Sequence, residues 1–190
     1  VEQSGHIKDV GIALYHHLLE EEINRIKANI DGNGELMPAQ SDWSVQITTG
    51  VPIIIPEDYV ADLGVRLGLY KRIGNLKTAE EISDMREELI DRFGQIPEEV
   101  ENLLKTVEIK QICQLANIER VDAGAKGILV MFHKNTFKNV DKLMGFITSQ
   151  LGTVKVRADQ KLFIEKNLTS YQTRLEVIKK YVTKLYELSL

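Results

Sequence analysis

The stretch from Thr78 to Val100 constrains the fold most, because three local signals in it fix where helices begin and end. Thr78 and Glu81 form a Thr-x-x-Glu capping box, in which hydroxyl and carboxylate each satisfy a free backbone N–H at a helix start. Gly94 marks the stop, since glycine tolerates the left-handed backbone on which many helices close. Pro97 then restarts a helix, at a position where its missing N–H costs nothing. Wound at about 100° per residue, Ile82, Met85, Leu89 and Phe93 fall on one side of the first helix. Asp84, Glu88, Asp91 and Arg92 fall on the other. One side can be buried while the other is offered to a partner.

The neighbouring segments extend this helical region. Leu63, Leu67, Tyr70 and Ile73 share a stripe over residues 61–73, which closes at Gly74. Before it, Pro56 is expected to open a short helix with Glu57 and Asp58 in a first turn that favours acids. After Pro97, Val100, Leu103, Leu104, Val107, Ile112 and Leu115 form an apolar side. Three helices joined by short turns should pack as a layer.

On the N-terminal side, Trp43, Val45, Ile47 and Thr49 alternate with polar residues as in a half-buried strand. Residues 51–55 are β-branched but hold Pro52 and precede Pro56, so they read as an edge strand or extended segment. Further back, Ile7, Val10, Leu14, Leu18, Ile23 and Ile26 predict a helix over residues 6–28, and residues 29–42 read as a polar, glycine-bearing linker. Residues 1–42 thus form a helix plus linker ahead of a domain at 43–190.

The last third changes character. Residues 118–122 and 127–132 read as a hairpin around a glycine-bearing turn, and 154–157 with 161–165 as a second strand pair. Between them, Val140, Leu143, Met144 and Ile147 predict a helix over 140–151. Tyr171, Leu175, Ile178, Val182 and Leu185 mark a long terminal helix. The pattern predicts an α+β fold: a helical layer plus a small, mostly antiparallel sheet, closed by a C-terminal helix.

Charge and composition narrow the function. The net charge of −4 over 190 residues disfavours nucleic-acid binding over the whole surface. The charge is unevenly spread: residues 78–101 hold nine acids and two bases, residues 153–184 eight bases and three acids. The basic region, with Lys155, Arg157, Lys161, Lys166, Arg174, Lys179, Lys180 and Lys184, could contact phosphates, which keeps a nucleic-acid-binding accessory domain open as an alternative. Cys113 is the only cysteine, so an internal disulfide and a cysteine zinc site are excluded, and a reducing, cytoplasmic setting fits. The longest apolar runs fall far short of the roughly 20 residues that span a bilayer. The chain starts without Met and reads as a piece of something longer.

Catalytic and cofactor signatures are missing. There is no GxxxxGK[ST] loop and no GxGxxG after a strand. The adjacent His16 and His17 diverge by about 100° on a helix and do not chelate one ion, and the DGNG sequence lacks the ligand alternation of a calcium loop. His133 has no nucleophile or carboxylate implied by spacing. Glu98, Glu99 and Glu101 are explained by the dipole of the helix they open. No cofactor, metal or catalytic residue is therefore expected. Glu88, Asp91 and Arg92 remain, sharing a helix face at i, i+3 and i+4. That spacing suits an internal Glu88–Arg92 pair, which spacing alone favours, or a charged interface.

The segments IPEDYV, RLGLYKRI and ELIDRFGQIP, in this order after a β-strand, resemble the C-terminal domain of bacterial transcription-repair coupling factors. The opening EQSGHIKDVGIALYHHLLEEEI is similar to the end of the family's translocase module and the helix leaving it. The resemblance implies a non-catalytic regulatory domain. In the family, the whole protein is an ATP-driven DNA translocase that displaces stalled RNA polymerase and recruits the excision-repair ATPase UvrA. The C-terminal domain docks on an N-terminal UvrB-like module and masks the UvrA-binding surface. Glu88, Asp91 and Arg92 match the docking contact, which shifts the expectation from internal pair to interface. The partners implied are that N-terminal module and, indirectly, UvrA and RNA polymerase; neither DNA nor membrane contact is expected of this chain.

Overall fold

The structure, a computed structural model, describes residues 43–190. The expected helix over 6–28, the linker over 29–42, the His16–His17 pair and the DGNG sequence lie outside the described residues.

Five strands form one sheet. β1 (Gln46–Thr48), β2 (Ile118–Gly124), β3 (Gly127–Phe132), β4 (Val154–Val156) and β5 (Leu162–Glu165) lie in the order β1-β2-β3-β5-β4. β1 runs parallel to β2, and the other pairs are antiparallel. The sheet is therefore mixed but mostly antiparallel, and the α+β expectation holds. A parallel pair requires a long crossover. That crossover carries the three helices α1 (Leu63–Gly74), α2 (Ala79–Phe93) and α3 (Glu98–Leu115). After β3, α4 (Val140–Ser149) separates the two hairpins, and α5 (Tyr171–Ser189) closes the chain.

Two separate cores result. The first joins the inward side chains of the sheet, among them Val121, Ile128, Val130, Leu162 and Ile164, to Leu143 of α4 and to Leu175, Ile178, Val182 and Leu185 of α5. The second lies among the three helices of the crossover, around Leu69, Ile73, Ile82, Met85, Leu89 and Leu104, and takes in Ile55 and Val60 from the segment before α1. α3 serves both. Its first half sends Val100, Leu103, Leu104 and Val107 into the helical core, and its second half sends Ile109 and Cys113 into the sheet core. This corrects the single apolar side expected for α3. The stripe changes direction along the helix, so Ile112 is only half-buried and Leu115 is exposed.

Helix ends follow the local signals closely. At the start of α2, Glu81 N–H donates to Thr78 Oγ1 at 3.1 Å, and Thr78 N–H donates back to Glu81 Oε2 at 3.3 Å. Gly94 caps its end at φ 86°, where a Cβ would be strained. Gly74 does not play that part: it is the last helical residue of α1, and Asn75 caps with ordinary right-handed geometry. Pro56 opens a single turn and not a helix, with Tyr59 and Val60 N–H both donating to its carbonyl.

Residues 51–55 are extended but join no ladder. Their backbone is held by side chains instead: Ile55 N–H donates to Tyr70 Oη at 2.6 Å, and Asn102 Nδ2 donates to the Pro52 carbonyl at 3.2 Å. Two stripes are also revised. Leu63 is exposed on α1 while Leu69 is buried, and on α4 Val140 and Met144 lie half in solvent with only Leu143 buried. Short helices resting one edge on a core bury a narrower stripe than their periodicity suggests.

Candidate functional site

The acidic side of α2 is positioned by its opposite side. Ile82, Met85 and Leu89 are buried in the helical core, each worth roughly 1.5–3 kcal/mol of apolar transfer, which fixes the rotation of the helix. Arg86 adds a fork to α3, its Nε and Nη2 donating to Glu101 at 2.9 and 3.1 Å. Tyr59 Oη donates to the carbonyls of Leu89 and Gly94 at 3.1 and 3.2 Å, and its ring meets Phe93 edge-on at 5.7 Å. The C-terminal turn of α2 is thereby held at a defined place.

On that turn, Glu88, Asp91 and Arg92 share one face, but their chemistry differs. Glu88 is enclosed by two guanidinium groups. Arg72 of α1 grips both carboxylate oxygens, at 2.8 and 2.5 Å, and Arg92 Nη1 donates to Oε1 at 2.9 Å. Arg72, then Arg92, outweigh what burial there is and hold the Glu88 carboxyl at about 2, well below the ordinary value of 4.5. The arrangement stays half in water, with Arg72 at 50% and Glu88 at 32% exposure, so screening keeps each pair to at most about 1 kcal/mol. Arg92 also lies over the Phe93 ring at 4.8 Å. Asp91 is exposed and, among the described residues, has no hydrogen-bond or ion-pair partner; the same holds for Asp84 and Glu87. Ile90 stands 51% exposed beside them.

The internal Glu88–Arg92 pair that spacing favoured is therefore present, and the free negative charge of the face belongs to Asp84, Glu87 and Asp91. Arg72 is the participant that sequence reasoning missed. It lies 16 residues from Glu88 on another helix, so no i, i+4 rule could reveal it.

Much of the basic C-terminal region is paired internally, while Lys166 and Lys180 are exposed and, among the described residues, have no side-chain partner. Lys155 pairs with Glu165 at 2.8 Å, Lys161 with Asp159 at 3.2 Å and Lys179 with Glu108 at 2.8 Å. Arg157 covers the Phe163 ring at 4.7 Å. Arg174 is buried to 6% exposure and donates to the carbonyls of Leu168 and Thr49, so it cannot meet phosphate. Tyr171, expected on the buried stripe, is half-exposed and lies under Arg174.

His133 does have a carboxylate neighbour that spacing did not imply: Nδ1 lies 3.0 Å from Glu119 Oε2, and the ring stacks on Trp43 at 4.5 Å. Among the described residues, no serine, threonine or cysteine hydrogen-bonds to that ring. Burial pushes the Cys113 thiol up to about 12, which keeps it protonated and unreactive. No cluster of metal-ligating side chains occurs among the described residues, and none of their helices is long and apolar enough to cross a membrane.

Fold and surface define a class: a two-core α+β domain whose three-helix crossover presents one acidic helix face. The chain belongs to the TRCF domain family, whose family model matches residues 49–143. It is a domain of that type and not a motor domain. Relatives extend the match beyond those bounds. The transcription-repair-coupling factor of Rickettsia conorii is 41% identical over 88% of this chain, and that of Haemophilus influenzae 33% identical over 93%. The Escherichia coli protein of the same name is 29% identical over 98%. The chain spans only 14–16% of the length of these three relatives. A crystal structure of the C-terminal domain of a transcription-repair coupling factor superposes with a TM-score of 0.60, covering 78% of this chain and 97% of that one. At 18% identity this last likeness speaks for the fold alone.

Proposed function

We propose that this chain is the non-catalytic regulatory domain of a transcription-repair coupling factor, acting in transcription-coupled excision repair in the cytoplasm. It docks through α2 on the protein's own N-terminal UvrB-like module and thereby masks the surface that UvrA binds. Translocation, ATP hydrolysis and RNA polymerase displacement belong to other parts of the protein. The observation that carries the reading is the exposed, unpaired carboxylate of Asp91 on a turn held rigidly from beneath by Leu89, Phe93 and Tyr59. A charged contact on a rigid element favours one orientation of docking and repels wrong partners, while leaving the complex weak enough to release.

The test is charge reversal in the full-length coupling factor, with UvrA binding as the readout. Asp91→Lys is preferred to reversal of Glu88, because a lysine at 88 would face Arg72 and Arg92 and disturb the domain itself. Asp91→Lys should strengthen UvrA binding several-fold while the melting temperature of the protein stays unchanged. UvrA binding at the parental level would remove the docking role of this face.

The nucleic-acid reading receives no support from the pairing pattern of the basic region. A gel shift of the isolated chain with duplex DNA at low salt should show no complex.

A further inference from the structure

In the free domain most of the accepting capacity of Glu88 is already taken: three guanidinium N–H groups occupy three of its roughly four acceptor positions. One of its oxygens accepts from Arg72 and Arg92 together, and the other accepts from Arg72 alone. Arg72 of α1 together with Glu88 and Arg92 of α2 sums to a charge of +1, although the cluster lies on the acidic face of α2. A basic side chain arriving from a docking partner can grip both oxygens of Glu88 only by taking the place of a guanidinium already there. Of the two, Arg72 makes the fork, whereas Arg92 makes a single bond from the same helix.

Building on the docking reading, we propose that Arg72 is an internal competitor for Glu88, and that its displacement sets how tightly the domain docks. Three features of the site support this. The fork is half in water, with Arg72 at 50% exposure, so a competing cation can reach it and Arg72 can swing out into solvent without losing a buried contact. Arg72 comes from α1 and Glu88 from α2, so breaking their pair leaves the rotation of α2 to the buried Ile82, Met85 and Leu89. Arg92 remains within reach of Glu88 when Arg72 leaves, because the i, i+4 relation is built into the helix. The pair therefore weakens docking by the free energy of opening a surface fork, which holds the complex in a releasable range.

The consequence runs against ordinary expectation: removing Arg72 tightens docking. An exposed fork of this kind corresponds to roughly a two- to fivefold change in an equilibrium constant. Arg72→Gln in the full-length coupling factor should therefore lower UvrA affinity by about two- to fivefold, since the UvrA-competent open form becomes rarer by that factor. Arg72→Lys, which keeps the charge but loses the planar fork, should fall between Gln and the parent. The effect must act through Glu88, so in a Glu88→Gln background the Arg72→Gln change should leave UvrA affinity unaltered. An Arg72→Gln effect that persists in that background would mean a general charge effect and would overturn competition. Raised or unaltered UvrA affinity on Arg72→Gln alone would also overturn it, by showing that Arg72 presents Glu88 or does not bear on it. Asp91→Lys, measured alongside, separates the two claims. If it raises UvrA binding while Arg72→Gln does not lower it, docking stands and competition fails; if Asp91→Lys has no effect, docking itself fails. Thermal melts of each variant exclude unfolding as the cause.

Discussion

Replacing Arg174 with Met should be among the most damaging single changes available in the described domain. The guanidinium is buried and makes three hydrogen bonds, with Nε and Nη2 donating to the Leu168 carbonyl at 2.9 and 2.7 Å and Nη1 donating to the Thr49 carbonyl at 2.7 Å. It thus ties the end of β1 and the loop before α5 to the first turn of α5. Methionine fills similar volume but donates nothing, so two buried carbonyls lose their partners. Each orphaned group costs about 1–3 kcal/mol. Relief from burying a charge without a carboxylate partner offsets part of this, leaving a net loss of about 2–4 kcal/mol. With a urea dependence near 2 kcal/mol per molar, the unfolding midpoint should fall by about 1–2 M. Lysine should not rescue, since one ammonium cannot reproduce a fork aimed at two carbonyls. The assay is equilibrium urea unfolding of the full chain followed by Trp43 fluorescence and by circular dichroism. A loss below about 0.5 kcal/mol would refute the reasoning, since the two carbonyls would then be satisfied without the guanidinium.

Further outcomes follow from the same geometry. The Glu88 carboxyl is lowered in the folded state, so the stability it contributes is fully present above its ordinary value of 4.5 and disappears as the pH falls towards about 2. Glu88→Gln should therefore cost up to about 1 kcal/mol at pH 7 and only a small part of that by pH 2, and a cost unchanged across that range in urea titrations would contradict the pairing. Gly127→Ala should destabilise by at least about 2 kcal/mol, because its Cβ would stand 2.3 Å from the Ile164 carbonyl oxygen on β5; an unchanged melting temperature would show that the strands can part there. Cys113, fully buried with its thiol raised to about 12, should resist iodoacetamide in the native protein and react on unfolding, as mass spectrometry would show; native labelling at the unfolded rate would count against the core placement.

Much of this domain was legible as text where the controlling interactions are local. The Thr78–Glu81 box, the Gly94 stop, the restart at Pro97, both hairpins and the stripe of Leu175, Ile178, Val182 and Leu185 each depend on residues within a turn or two, and each stands where spacing placed it. Resemblance of a few segments carried the family. What tertiary structure alone decided are the pairings between distant parts of the chain. α3 changes its buried side because it bridges two cores, and periodicity, which reports one side at a time, cannot register that. Arg174 resembles any helix lysine or arginine until β1 folds back from 125 residues away to receive it. Glu88 satisfies the spacing of a surface pair equally well with or without Arg72, and only the packing of α1 against the same core brings the second guanidinium within bonding distance. Local order follows from backbone geometry that every residue carries with it; the charge state and availability of a surface group follow from which neighbours folding brings within about 3 Å.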